Sequence, residues 1–234
     1  MIKSLISLQV LKNDLPSEYS SKNVYTRRMS WSPTLQSDDC EIIQERSVYK
    51  HPLFGLCEFS FRMKNHQKQW TEEQTYLRLD LSDVVVMLCH DVARDCFVMV
   101  EQCRPVLKFS QPHVSPWTLE VPAGYIDTNE SPEQAVRREV LEEIGTEAHT
   151  VSCMLHHSST GLNNSNVYTF YVTVDSSQIS QMTGIAQENE YIKTHVIDFA
   201  SVQRLITEGS VISSGTLMAF YVYLSKIRYP HQQS

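Results

Sequence analysis

Short runs of apolar residues, punctuated by polar turns, divide most of the chain into strands and helices. From Glu41 to Asp80 three runs have strand character, Glu41–Val48, Gly55–Met63 and Thr71–Leu79. Within the second, Phe59 and Phe61 alternate with Ser60 and Arg62, as a half-buried strand requires. Two stronger apolar runs, Val84–Cys89 and Cys96–Gln102, read as buried strands separated by a polar turn at 90–95. After a polar loop at Lys108–Ser115 the pattern predicts a strand at Trp117–Val121 and a helix at Pro132–Ile144. Strands at Val151–His156, Val167–Val174 and Tyr191–Asp198 follow, and helices at Phe199–Glu208 and Ser214–Tyr223 close the chain.

Strands and helices mix without regular βαβ alternation, which predicts an α+β fold with helices packed on a mixed sheet. Residues 12–39 are polar and rich in Ser, Asn, Asp and Pro. The expected organisation is therefore an irregular N-terminal arm over 1–39, a small β domain over 40–80, a main domain over 81–228 and a tail over 229–234. No internal repeat interrupts this order.

The helix at Pro132–Ile144 has clear boundary signals. Ser131 is an N-cap residue, Pro132 suits the first helical position, Gln134 completes a capping box, and Gly145 terminates the last turn. Its acids are harder to account for. Glu139, Glu142 and Glu143 fall within about one turn of one another in the C-terminal half, where the helix dipole disfavours them. The apolar stripe is Val136, Val140 and Ile144, and at about 100° per residue Glu143 lies on its edge beside Val136, with Glu139 a little further round. A solvated helix, with Arg137 and Arg138 pairing the acids, is the plain interpretation. Two like charges bordering the core face point instead to a hard divalent cation with oxygen ligands, with Arg138 placed to pair Glu142. Upstream, Pro122-Ala123-Gly124 makes a bend in which Gly124 permits close backbone approach, so that a main-chain carbonyl can join the carboxylates.

Charge and cysteine content narrow the function classes. The 234 residues carry 27 acids against 20 Lys and Arg, a net charge of −7, which argues against a nucleic-acid binder and leaves an anionic small molecule open if a cation is present. A hydrophobic fraction of 41% supports a packed core. The six cysteines include no C-x-x-C pair and read as free thiols of a reducing cytosol. No apolar stretch is long enough to span a bilayer. The first 11 residues are interrupted by Ser7 and Gln9 and lack a cleavage pattern, so a secretory leader is not expected.

Gly124, five residues, Glu130, seven residues and then Arg138-Glu139-Val140-Leu141-Glu142-Glu143-Ile144-Gly145 resembles the Nudix box, which departs only at Thr146, where an aliphatic residue is usual. The stretches Glu101-Gln102-Cys103-Arg104-Pro105 and Trp117-Thr118-Leu119-Glu120 look like the approach to that box in ADP-ribose and nucleotide-sugar pyrophosphatases, and Gly184 to Glu190 resembles the acidic loop that carries their catalytic base. The likeness spans about residues 41–228 and leaves 1–39 outside it.

The resemblance implies a Nudix-type α/β/α sandwich with a small N-terminal β-sheet domain. It implies magnesium, with manganese as a substitute, held by Glu139, Glu142, Glu143 and the Ala123 carbonyl. Glu188 is the implied group that orients or deprotonates water, with Glu190 second; Gly124, Glu130 and Arg138 are supporting residues. Arg104 is implied to contact a phosphate, and Glu120 to bind substrate or brace Arg104. Trp31, Phe54 and Trp70 are aromatic residues of the kind that stack on a base, often across a homodimer. The implied reaction is hydrolysis of a nucleoside-diphosphate sugar in the cytoplasm, with neither nucleic acid nor membrane as partner. Ser158-Ser159-Thr160-Gly161-Leu162 lacks the proline usual in ADP-ribose pyrophosphatases, which keeps UDP-glucose and GDP-mannose open beside ADP-ribose. A nucleotide-sensing protein on the same fold is the non-enzymatic alternative, against which the retained acids argue. His156 and His157, neighbours on a strand, face opposite ways and are taken as structural.

Overall fold

Two sheets organise the residues that the computed structural model describes, which are 32–184, 190–211 and 213–229. The first is antiparallel, in the order β1 (Cys40–Lys50), β2 (Gly55–Met63), β3 (Gln74–Asp80). Its middle strand buries Cys57, Ser60 and Phe61, and the Phe61 ring meets Tyr76 edge-on at 4.9 Å between centroids. Every residue of β1 is exposed. The third strand begins at Gln74 rather than Thr71. Most of the arm expected over 1–39 lies outside the described residues, as do Trp31 and the tail from 230 onward. Its described end forms a 3₁₀ turn, Ser37–Asp39, whose Asp39 pairs with Lys64 at 2.8 Å.

The second sheet has eight strands. β4 (Val84–Asp91) and β5 (Cys96–Cys103) form its centre, followed along the chain by β6 (Trp117–Glu120), β7 (Ala123–Tyr125), β8 (Thr150–Ser158), β9 (Asn166–Thr173), β10 (Met182–Thr183) and β11 (Ile192–Asp198). The spatial order is β10-β11-β5-β4-β9-β8, with β6 on β5 and β7 on β4; β4 and β9 run parallel and the other pairs antiparallel, so the sheet is mixed.

Period-two alternation in β4 and β5 feeds a core on each face. Val85, Met87, Val98 and Val100 pack with Val136, Val140 and Ile144 of the capped helix, Pro132–Ile144. Val86, Leu88, Phe97 and Met99 pack on the other side with Phe199, Val202, Phe220 and Tyr223 of the two closing helices. These helices span Phe199–Thr207 and Ser214–Tyr223, and a π-helical turn, Leu224–Arg228, continues the second. Each such side chain removed from water contributes roughly 1.5–3 kcal/mol, which makes the sandwich the mount on which everything else is held. A four-residue helix, Leu107–Ser110, interrupts the loop expected at Lys108–Ser115. In chain order the helices are α1 (Leu107–Ser110), α2 (Pro132–Ile144), α3 (Phe199–Thr207) and α4 (Ser214–Tyr223).

The bend after β6 is fixed by bonds from both faces. The Val121 N–H donates to the Thr216 hydroxyl of α4 at 2.9 Å, and the Pro122 carbonyl accepts from Met87 N–H at 2.9 Å. Thr216 is fully buried, so its replacement by Val leaves a dry backbone donor without an acceptor. Thr216→Val is expected to lower stability by about 1–3 kcal/mol in urea titration; an unchanged midpoint would mean that the bend does not need α4.

Candidate active site

The structure turns the Ala123-Gly124 bend into a short strand, β7, because β4 offers it an open edge: Val86 pairs with Ala123 and Val85 with Gly124. This lays β7 along α2. The helix begins as its sequence predicts, with the Ser131 side chain accepting from Gln134 N–H and the Gln134 side chain accepting from Ser131 N–H, and it ends at Gly145 with φ of 71°.

Glu143 is more deeply placed than the edge of the apolar stripe. Its side chain is 1% exposed and accepts a hydrogen bond from Ala123 N–H at 2.9 Å. Glu139, one turn earlier, lies against Gly124, where a Cβ would overlap its carboxylate. Burial pushes the Glu143 carboxyl well up from its ordinary range, and Glu139 and Glu190 add repulsion that the Ala123 amide and Arg104 only partly offset. Burial likewise raises Glu139, with Arg138 pulling the other way and Glu142 and Glu190 adding to the rise. Two neighbouring desolvated carboxylates make a site that favours a positive charge.

Arg138 supplies one such charge from the side. Its guanidinium bonds Glu130 at 2.8 and 3.0 Å, Glu139 at 2.7 Å, Glu142 at 3.0 Å and the Tyr125 carbonyl at 2.9 Å. It therefore ties the strand after the bend to three acids, beyond the Glu142 pairing that spacing suggested. Arg137 turns away and bonds the Ala148 carbonyl at 2.9 Å. Among the described residues no three His, Cys, Asp or Glu side chains are grouped so that they alone could hold a metal ion.

The acids border a cleft of about 670 Å³ whose lining includes Arg104, Gly124, Glu139, Glu142 and Glu190. Just past β5, Arg104 forms a two-pronged ion pair with Glu120, at 3.2 and 2.8 Å, and the Thr118 hydroxyl donates to the same carboxylate. Burial alone would raise Glu120, but Arg104 and Thr118 outweigh it and hold the carboxyl below its usual range. Glu120 is thus placed to brace Arg104. Glu188 lies outside the described residues. The segment before it is clipped to the end of α2, whose last carbonyls would otherwise lack donors. Ser180 N–H bonds the Ile144 carbonyl at 3.1 Å, Gly184 N–H bonds that of Glu142 at 3.2 Å, and the Thr183 hydroxyl bonds that of Glu143.

Phe54 and Trp70 are not among the residues lining this cleft. The turn between β1 and β2 contributes Pro52 and Leu53 instead, while Phe54 packs on His51 and Trp70 lies beneath Arg62 and Lys64, 4.8 and 5.1 Å from its ring centre. His156 stacks on Tyr168. Thr118, Thr183 and Gln102 belong to the site's surroundings but escaped the sequence analysis. For Gln102 the signal was present, since it is the polar residue that follows the apolar run of β5, two positions before Arg104.

Comparison with known proteins places the chain among relatives. The profile of the NUDIX domain matches residues 81–211. The chain is similar to the ADP-ribose pyrophosphatase of Haemophilus influenzae, 29% identical over 189 residues that cover 80% of this chain and 87% of that protein. It is similar to the ADP-ribose pyrophosphatase of Escherichia coli K12, 29% identical over 187 residues, 80% and 88% of the two chains. A crystal structure described as an ADP compounds hydrolase superposes with a TM-score of 0.64 at 15% identity, covering 86% of this chain and all of that one, and so shares the fold.

Removing the Arg138 guanidinium should leave the acids with their repulsion unrelieved. Arg138→Met is expected to lower stability by roughly 2–4 kcal/mol in EDTA, and millimolar magnesium to restore a larger part of it than magnesium adds to the wild type. Identical melting curves for the variant with and without the cation would contradict a cation-seeking acid cluster.

Proposed function

The chain belongs to the NUDIX family as a hydrolase, and from that premise we propose that it cleaves the diphosphate link of ADP-ribose or a related nucleoside-diphosphate sugar, giving a nucleoside monophosphate and a sugar phosphate. The observation that carries this reading is the pair of carboxylates on α2, Glu143 buried and Glu139 part-buried, beside a cleft that Glu139 lines together with the braced guanidinium of Arg104. The names of the two bacterial relatives favour ADP-ribose among nucleotide sugars.

The donor set fits a hard divalent cation: oxygen ligands only, desolvated, mutually repelling, and beside a backbone stripped of its Cβ at Gly124. Glu139 and Glu143 would hold magnesium or manganese, with Glu142 and the Ala123 carbonyl completing the set. Bound there, the ion supplies charge neutralisation at the phosphates and a more acidic water. The protein's own part is positioning. Arg138 and Glu130 keep the carboxylates oriented. Arg104, held by Glu120, offers its remaining N–H groups to a phosphoryl oxygen. Glu188 takes the proton of the attacking water or orients that water, with Glu190, two residues on and lining the cleft, as its neighbour.

A homodimer belongs to the same reading, because β1 leaves Ile42, Ile43, Val48 and Tyr49 open to a second copy. A cytoplasmic location is proposed from the six free thiols. Among the described residues no helix is long and apolar enough to cross a membrane.

The test is phosphate-ester release from ADP-ribose, GDP-mannose and UDP-glucose, with magnesium and with EDTA, on enzyme whose mass in solution is measured alongside. ADP-ribose should be turned over only with the cation, by a dimer. Glu143→Gln and Glu188→Gln should each lower turnover by about 100-fold or more while melting as folded proteins. Preference for GDP-mannose or UDP-glucose would move the substrate. Tight binding with no turnover of any compound would make the protein a sensor, and a monomer would remove the dimer.

A further inference from the structure

Along β5 the side chains of Val98 and Val100 point into the core beneath α2, and Gln102 continues that face to the cleft, which Arg104 also lines just past the end of the strand. Gln102 is only 8% exposed, yet it lines the cleft. Its Nε2 is enclosed and has no acceptor among the described residues. The nearest candidate on β6 is already taken: Glu120, which stands opposite Val100 in register, has its oxygens occupied by Arg104 and by Thr118, the residue opposite Gln102. A dry amide donor without an acceptor destabilises the fold that contains it, and native proteins keep few of them. Because Gln102 lines the cleft, such a donor is explained if its carboxamide turns to meet a ligand there.

We propose that the Gln102 carboxamide is a substrate contact that donates a hydrogen bond to a non-bridging oxygen of the bound diphosphate. The inference rests on the diphosphate-cleaving function proposed above and adds to it a residue that neither the box nor the acidic loop contains. The ligand class follows from what surrounds the amide. It lies two residues from Arg104, and both line the cleft with Glu139 and Glu142 of α2, so the oxygen that meets it belongs to the group that a guanidinium neutralises on one side. A neutral amide adds a directional bond there without repelling a cation held by Glu139 and Glu143. Glutamine has the reach and the uncharged donor; glutamate at the same place would set a carboxylate against a phosphate.

The experiment is calorimetric titration of ADP, with magnesium, into the wild type and into Gln102→Met, with adenosine as the ligand lacking phosphate and a thermal melt of each protein. Methionine keeps the volume of the side chain and removes the donor. The expected result is a loss of ADP affinity of about 10- to 100-fold, with adenosine binding changed less than twofold and a melting temperature equal to or above that of the wild type. Gln102→Glu should weaken ADP binding further. Unchanged ADP affinity in Gln102→Met overturns the proposal, and with a lowered melting temperature it marks the amide as structural. Equal losses for ADP and adenosine would mean a general disturbance of the cleft and would overturn it too. Failure of the wild type itself to bind ADP would overturn the diphosphate reading beneath it, an outcome separate from a variant that binds as well as the wild type.

Discussion

Everything around the site answers to one constraint: the Glu143 carboxylate is out of water. A buried carboxylate needs hydrogen bonds, a positive charge or a proton, and the fold offers it the Ala123 amide together with a position beside Glu139. That arrangement demands a strand edge close enough to the helix to bring the amide within reach, and a residue without a Cβ where Glu139 must lie flat against it. β7 and Gly124 meet both demands. The capping box at Ser131 and the αL turn at Gly145 set where the helix starts and stops, so they fix the two acids on one face one turn apart.

The two cores give this constraint its rigidity. The face of the mixed sheet that packs on α2, the helix of the acids, also carries Glu120, while the opposite face packs on α3 and α4 and reaches through Thr216 to hold the bend that precedes β7. The end of α2 is also a junction. Its last carbonyls are bonded by Ser180, Thr183 and Gly184, so the chain that leads toward Glu188 and Glu190 departs from a point fixed on the acid helix. The acids of α2 and the Glu120 that braces Arg104 thus take their positions from one helix and one sheet rather than from independent loops.

Much of this was legible in the sequence because the strongest signals were local. The helix from Pro132 to Ile144 has a start, a stop and a stripe, and its observed ends match them. The mixed-sheet α+β class followed from the order of runs, and the paired faces of β4 and β5 from their unbroken apolar character. What escaped was set by contacts distant in the chain. β7 is three residues long and exists only because β4 leaves an edge for it; β10 has two residues and pairs with β11. The full burial of Glu143 depends on the strand laid over it, which the helical period alone cannot report. Phe54 and Trp70 carry the apolar area of base-stacking residues, but ring neighbours on their own sheet engage one and two cationic side chains cover the other.

The central claim is that Glu139 and Glu143 grip a divalent cation against a diphosphate. Crystals grown with manganese and a non-hydrolysable ADP-ribose analogue, with data collected at the manganese absorption edge, measure this directly. The account predicts an anomalous peak about 2.0–2.3 Å from a carboxylate oxygen of each of the two residues and from a phosphoryl oxygen of the analogue. An ordered analogue with both carboxylates facing away from it, and no anomalous peak between them, would contradict the account.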